Sequence, residues 1–128
     1  MDKLVDKEIT ERIIGCAFTV HGKLGTGFLE KVYENALAIE LRKNGLAVQQ
    51  QVPITVQYDG LPVGEYFADL LVENKIICEL KANLAIAPEH EVQLVNYLAA
   101  TGFDIGLLIN FGRSVHVRRK YRGYPDTE

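Results

Sequence analysis

A chain of 128 residues with 48% hydrophobic and 24% charged side chains has the composition of an ordinary globular domain and is long enough to bury a core. No apolar run approaches the ~20 residues needed to cross a bilayer, so no membrane-spanning helix is expected. The net charge of −3 argues against simple electrostatic capture of nucleic acid.

The opening segment, Met1-Asp-Lys-Leu-Val-Asp-Lys-Glu8, is charged and lacks a leader's apolar core, which predicts a cytoplasmic protein. Ile9, Ile13, Ile14, Ala17, Phe18 and Leu24 recur at helical spacing and predict an amphipathic helix over 9–22, with His21 in its last turn. Cys16, and Cys78 further on, fall at apolar positions with no second ligand nearby and read as small core residues. Gly22-Lys-Leu-Gly-Thr-Gly27 breaks the helix. It lacks the lysine-and-hydroxyl ending of a nucleotide loop and follows a helix, so it reads as a turn with Thr26 as the next N-cap.

A second helix is predicted over 28–43, with Leu29, Val32, Ala36, Leu37 and Leu41 as its buried stripe and Asn44-Gly45 as its stop. Glu30 and Tyr33, three residues apart, share a face beside that stripe. Residues 46–58 alternate as a strand through Val48, Val52, Ile54, Val56 and Tyr58, and Pro53 favours a sheet edge or a bulge. Asp59-Gly60 marks a hairpin into a strand over 61–72.

The chemistry concentrates in residues 67–81, which read as two strands joined at Glu73-Asn74-Lys75. Alternation puts Ile76, Cys78 and Leu80 on one face and Ile77, Glu79 and Lys81 on the other. With a three-residue loop, Val72 opposes Ile76 and Asp69 opposes Glu79, their Cβ atoms about 4.5–5.5 Å apart. Like charges held that close are unfavourable unless a cation lies between them, which makes the pair a candidate metal site.

Pro88 fits the first turn of a third helix that runs to about Ala100 with Leu94, Val95 and Leu98 as its apolar stripe. His90, Gln93 and Tyr97 form a polar line along another flank, with Tyr97 half-buried. Residues 105–109 are apolar at successive positions, as in a strand covered on both faces. Asn110-Phe-Gly112 turns the chain into a last strand over 114–119, with Val115 and Val117 inward and His116 and Arg118 outward. Arg113, Arg118, Arg119, Lys120 and Arg122 follow one another with no acid between Ile105 and Pro125. Without these five and the tail acids Asp126 and Glu128, the body carries nine cations against fifteen acids. The basic end reads either as a phosphate-contacting edge or as a solvated tail. The order of helix, helix, three antiparallel strands, helix and two strands predicts an α/β layer fold, a single domain over 1–128.

Glu30 on a helix, Asp69 on a strand, Glu79-Leu-Lys81 on the next strand and Gln93-x-x-x-Tyr97 on a helix resemble, in order and spacing, the PD-(D/E)XK nuclease superfamily. More narrowly, Gly27-Phe-Leu-Glu30-Lys-Val-Tyr33 resembles the signature of its small GxxExxY family. Gly64-Glu-Tyr-Phe-Ala-Asp69, His90-Glu-Val-Gln93-Leu-Val-Asn-Tyr97 and Gly106-Leu-Leu-Ile-Asn-Phe-Gly112 are further matches, so the resemblance covers about 8–120. Ala68 stands where the superfamily's name has Pro.

The resemblance implies a restriction-endonuclease-like core, a central mixed β-sheet in which a three-stranded antiparallel meander is joined by the following strands and flanked by helices. It implies a nuclease acting on DNA, endo- or exonucleolytic, in which Asp69 and Glu79 bind Mg²⁺, with Mn²⁺ as a substitute. Glu30 would be a further carboxylate at the ion, and Lys81 would position or activate the attacking water and stabilise charge at the phosphate. Gln93 and Tyr97 would support the site and contact substrate. Tyr33 and His90 of the matched stretches, with Arg118 and Arg119 of the basic end, complete the candidate supporting or substrate-binding set. Independently of the resemblance, a few hard oxygen ligands suit Mg²⁺, and no clustered Cys or His favours zinc.

Two other readings stand beside this one. An inactive relative could serve as a binding or scaffold module that meets nucleic acid or a protein through its basic or sheet edge. A hydrolase of a smaller phosphoester would use the same groups. An exposed strand such as 46–58 or 114–119 offers a surface for a homodimer, by analogy with small nucleases that pair to cut two strands.

Overall fold

A computed structural model describes residues 2–123, with side chains from Asp6 onward; the tail acids Asp126 and Glu128 lie outside the described residues. The elements are α1 (Asp2–Leu24), α2 (Glu30–Lys43), β1 (Val48–Tyr58), β2 (Leu61–Val72), β3 (Ile76–Lys81), α3 (Pro88–Thr101), β4 (Ile105–Phe111) and β5 (Val115–Tyr121). The strands form one sheet in chain order. Only β3 and β4 run parallel, because α3 carries the chain back across the sheet between them. α1 and α2 cover one face and α3 the other, which is the expected mixed sheet flanked by helices. None of the described helices is long and apolar enough to cross a membrane.

Alternation along β3 divides the two cores. Ile76, Cys78 and Leu80 join Ile13, Ala17, Tyr33 and Leu37 beneath α1 and α2, while Ile77 joins Leu94 and Leu98 beneath α3. Cys16 and Cys78 are free and buried, as their apolar positions predict. Gly106 lets α3 approach β4 closely. A Cβ there would lie 2.8 Å from Leu94 Cδ1.

Several expected details differ. Helix α1 begins at Asp2 rather than near Ile9, and Phe18, expected in its buried stripe, is 53% exposed. The buried face is instead Ile9, Ile13, Cys16, Ala17 and Val20. Helix α2 starts at Glu30 behind Leu29, so Thr26 is not its N-cap. Its buried stripe is Tyr33, Glu34, Leu37, Ala38 and Leu41, leaving Leu29 and Val32 exposed. Tyr33 sets that rotation: its ring stacks on Phe111 with centroids 4.6 Å apart and 8° between planes. Its hydroxyl also donates to Gly25 O at 2.6 Å, closing the loop before the helix.

The alternation expected along β1 breaks at Gln51, whose φ of 54° is left-handed. Val48 therefore packs under α1 and α2, while Val52 and Ile54 pack under α3. Pro53 sits in this edge strand as expected. Asn110 and Phe111 do not turn the chain. They extend β4, both buried, because the Asn110 amide accepts from Asn83 N and donates to Asn83 O, each at 3.0 Å. Strand β5 starts at Val115 and runs on to Tyr121.

Candidate metal centre

Strands β2 and β3 pair through Val72↔Ile76, Leu71↔Ile77 and Leu70↔Cys78. The next positions in that register are Asp69 and Glu79, and there side chains take over from the ladder. The Asp69 N–H donates to Glu79 Oε1 at 2.9 Å, and the Leu80 N–H donates to Asp69 Oδ2 at 2.8 Å. Each carboxylate thus commits one oxygen to the opposite strand, which fixes both side chains at the mouth of the fork.

Burial sets the charge state of this pair. Glu79 is 9% exposed, and desolvation, reinforced by Asp69 and opposed by Lys81, pushes its carboxyl up to about 8. Asp69 is raised as well, by desolvation first. Hydrogen bonds from Leu80 and Gln51 hold it down, and Glu34 and Glu30 push it further up. The fork therefore carries two carboxylates whose ionised forms are under-compensated by the protein. Lys81 follows Glu79 by two residues on the same strand face, near enough to oppose that rise.

Glu30 opens α2 and is exposed; it shares a shallow pocket of about 290 Å³ with Glu34, Gln51 and Asp69. Among the described residues no three His, Cys, Asp or Glu side chains close into a ready cage. The donor set nevertheless fits a hard cation. It is all oxygen, its ionised forms lack a compensating charge from the protein, and Mg²⁺ keeps several waters and needs only one or two carboxylates.

Two groups of this site were not singled out from the sequence. Glu34 is 3% exposed and receives Lys31 at 3.2 Å, Gln50 at 2.8 Å and Gln51 at 2.9 Å, so its charge is already satisfied. Gln51 also donates to Asp69 Oδ1 at 3.2 Å, which ties Asp69 to Glu34. The available signals were the four-residue spacing from Glu30 to Glu34 and the glutamine run before Pro53.

The remaining candidates separate. Gln93 donates to Tyr97 Oη at 2.6 Å, and Tyr97 is 6% exposed, more buried than its expected half. The charges of Glu79 and Asp69 contribute to raising the Tyr97 phenol, after desolvation, so α3 adjoins the fork. His90 lies a turn earlier and accepts from Ala87 N–H at 3.4 Å, a helix-capping contact. Tyr33 is fully buried in the core under α1 and α2.

Arg118 stands opposite Leu108, which stands opposite Glu79, so Arg118 is two strands from the carboxylate in one row. It reaches Glu91 at 4.0 Å. Arg119 neighbours Thr10 of α1, on the opposite side of the sheet from α3, at 3.4 Å. Two further cations of the basic end also meet acids of the body: Lys120 pairs with Glu91 and Arg122 with Asp104.

The sequence profile of the PD-(D/E)XK nuclease superfamily matches residues 7–122, nearly the whole chain. The protein belongs to the PD-(D/E)XK nuclease superfamily. Its fold is similar to that of SSO0001 (TM-score 0.60, 18% identity), covering 77% of this chain and 52% of that one. It is also similar to an alkaline exonuclease, LHK-Exo, from Laribacter hongkongensis (TM-score 0.53, 17% identity), covering 72% and 55% respectively. The PD-(D/E)XK chain thus spans about half the length of these two proteins. No curated protein sequence matches it.

Proposed function

We propose that this PD-(D/E)XK protein, of the GxxExxY branch, is a Mg²⁺-dependent nuclease that hydrolyses phosphodiester bonds in DNA, with Mn²⁺ able to substitute. One observation carries the reading: a half-buried and a buried carboxylate, Asp69 and Glu79, cross-bonded at a strand fork with raised proton affinity, and a lysine on the strand of Glu79. Asp69 and Glu79 would hold the ion, and Glu30, which shares a pocket with Asp69, would be a further carboxylate there, directly or through water. Bound there, it supplies Lewis-acid stabilisation of charge on a phosphate oxygen. Lys81 donates hydrogen bonds to the attacking water or the phosphate and offsets negative charge as it develops. The backbone bonds from Asp69 and Leu80 fix the two carboxylates, so little reorganisation is needed when substrate arrives.

The test is cleavage of a DNA panel in Mg²⁺ by the wild type and by Asp69→Asn, Glu79→Gln and Lys81→Ala. Each substitution should lower cleavage by at least about a hundredfold while circular dichroism stays unchanged. Cleavage that survives all three changes would refute the reading.

A binding or scaffold module is the second reading. It is favoured by the ion pairs that engage Arg118, Lys120 and Arg122 and temper the basic edge. Such a module would show no Asp69-dependent rise in thermal stability on addition of Mg²⁺ or Mn²⁺.

A further inference from the structure

A cavity of about 740 Å³ lies between α3 and the outer part of the β1–β2 hairpin, and its chemistry differs from that of the fork. Tyr66 and Tyr97 form its aromatic wall, with ring centroids 5.5 Å apart and 41° between planes. Amides and a hydroxyl from Gln57, Gln93, Asn96 and Thr55 line it beside the apolar Val56, Ala99 and Ala100, and among the described residues no ionisable acid or base other than the two tyrosines takes part. A groove for the phosphate backbone would carry Lys or Arg. Flat rings beside neutral donors and acceptors match instead the face and edge of a nucleobase.

The Tyr66 ring is held ready for such contact. It rests over Gly64, where an added Cβ would come within 3.2 Å of it, and it is 44% exposed. Tyr97, on the other side, lies within electrostatic reach of Asp69 and Glu79, so the groove opens beside the fork. A base inside a duplex offers neither a free face nor a free pairing edge. Only an unpaired base can use both the rings and the amides.

We infer that the Tyr66–Tyr97 groove binds an unpaired nucleobase next to the scissile phosphate, making single-stranded nucleic acid, or a single-stranded end, the preferred substrate. This rests on the nuclease reading for its purpose, but its test does not depend on cleavage. Oligodeoxynucleotides carrying 2-aminopurine at successive positions are titrated with the full chain, Ca²⁺ replacing Mg²⁺, as single strands and annealed to their complements. Single strands should bind at least about tenfold more tightly than duplexes, with fluorescence quenched at one or two positions. Tyr66→Ala should lose about tenfold in single-strand affinity and the quenching, with duplex affinity unchanged, while Tyr66→Phe keeps both.

Equal affinity for the two forms, no binding of either, or single-strand binding indifferent to Tyr66→Ala would overturn the inference. Cleavage in Mg²⁺ is scored separately. Wild-type cleavage without Tyr66-dependent binding sinks the groove and spares the nuclease. Tyr66-dependent binding without cleavage does the reverse.

Discussion

At the scale of single residues, the behaviour of the site follows from Asp69 and Glu79 sharing a half-closed fork. Glu79 ordinarily titrates near 4.5 but is pushed up to about 8 here. Folded protein therefore holds a proton that unfolded protein has lost across that interval. Its contribution to stability is complete below about 4.5 and is lost as pH rises through about 8. Asp69 is raised too and acts in the same direction. At about 1.4 kcal/mol per pH unit, metal-free protein should lose a few kcal/mol of stability between these limits. Chemical denaturation across pH in a chelator would record the slope, and Glu79→Gln should flatten most of it.

Gln51 is a positioning residue for the same pair. Its amide bridges Asp69 and Glu34, and its left-handed backbone turns it toward both. Gln51→Leu should weaken Mn²⁺ binding by about tenfold, as loss of an outer contact to a ligand does. Because Gln51 is exposed, the melting temperature should barely move. A large drop in stability with unchanged metal affinity would assign Gln51 a purely structural role.

At the scale of elements, α3 and β4 set the distance between the groove and the fork. Gly106→Val would drive a side chain into Leu94 and lift α3, costing roughly 1–3 kcal/mol and displacing Gln93 and Tyr97. Asn110→Asp would place an acceptor against Asn83 O and cost a similar amount, roughly 1–3 kcal/mol, by orphaning that carbonyl. Urea denaturation of the two variants checks both figures.

The same elements mark what was legible in the sequence. Strand pattern and turn chemistry gave β2, the Glu73-Asn74-Lys75 loop, β3 and the Val72↔Ile76 register, because period-two alternation fixes register once a loop length is set. Beyond Leu70↔Cys78, side-chain bonds rather than the ladder join Asp69 and Glu79. The rotation of α2 was hidden, since the stack of Tyr33 on Phe111 joins residues far apart in the chain. Asn110 resembled a turn residue because its partner, Asn83, lies on a loop 27 residues earlier in the chain. Gln51 was hidden for a different reason: a single left-handed residue inside a strand leaves the apolar spacing on either side intact.

At the scale of the whole molecule, the α/β layering and the antiparallel β1–β2–β3 meander followed from the sequence of elements, and the mixed sheet from the family resemblance. The parallel β3–β4 pair emerged only in the fold, where the helix between the two strands makes a crossover. The placement of the basic end did not follow. Charge runs say nothing about which acids will meet them, and only the folded sheet brings Glu91 to Arg118 and Lys120. The molecule combines an acidic fork, a neutral aromatic groove beside it and an ion-paired basic edge two strands away. Calorimetric titration of the metal-free chain with Mn²⁺ tests the fork most directly. The account predicts binding that tightens as pH rises from 6 towards about 8, releases protons as Glu79 ionises, and vanishes in both Asp69→Asn and Glu79→Gln. Binding of unchanged strength in those variants, or no binding at any pH, would contradict it.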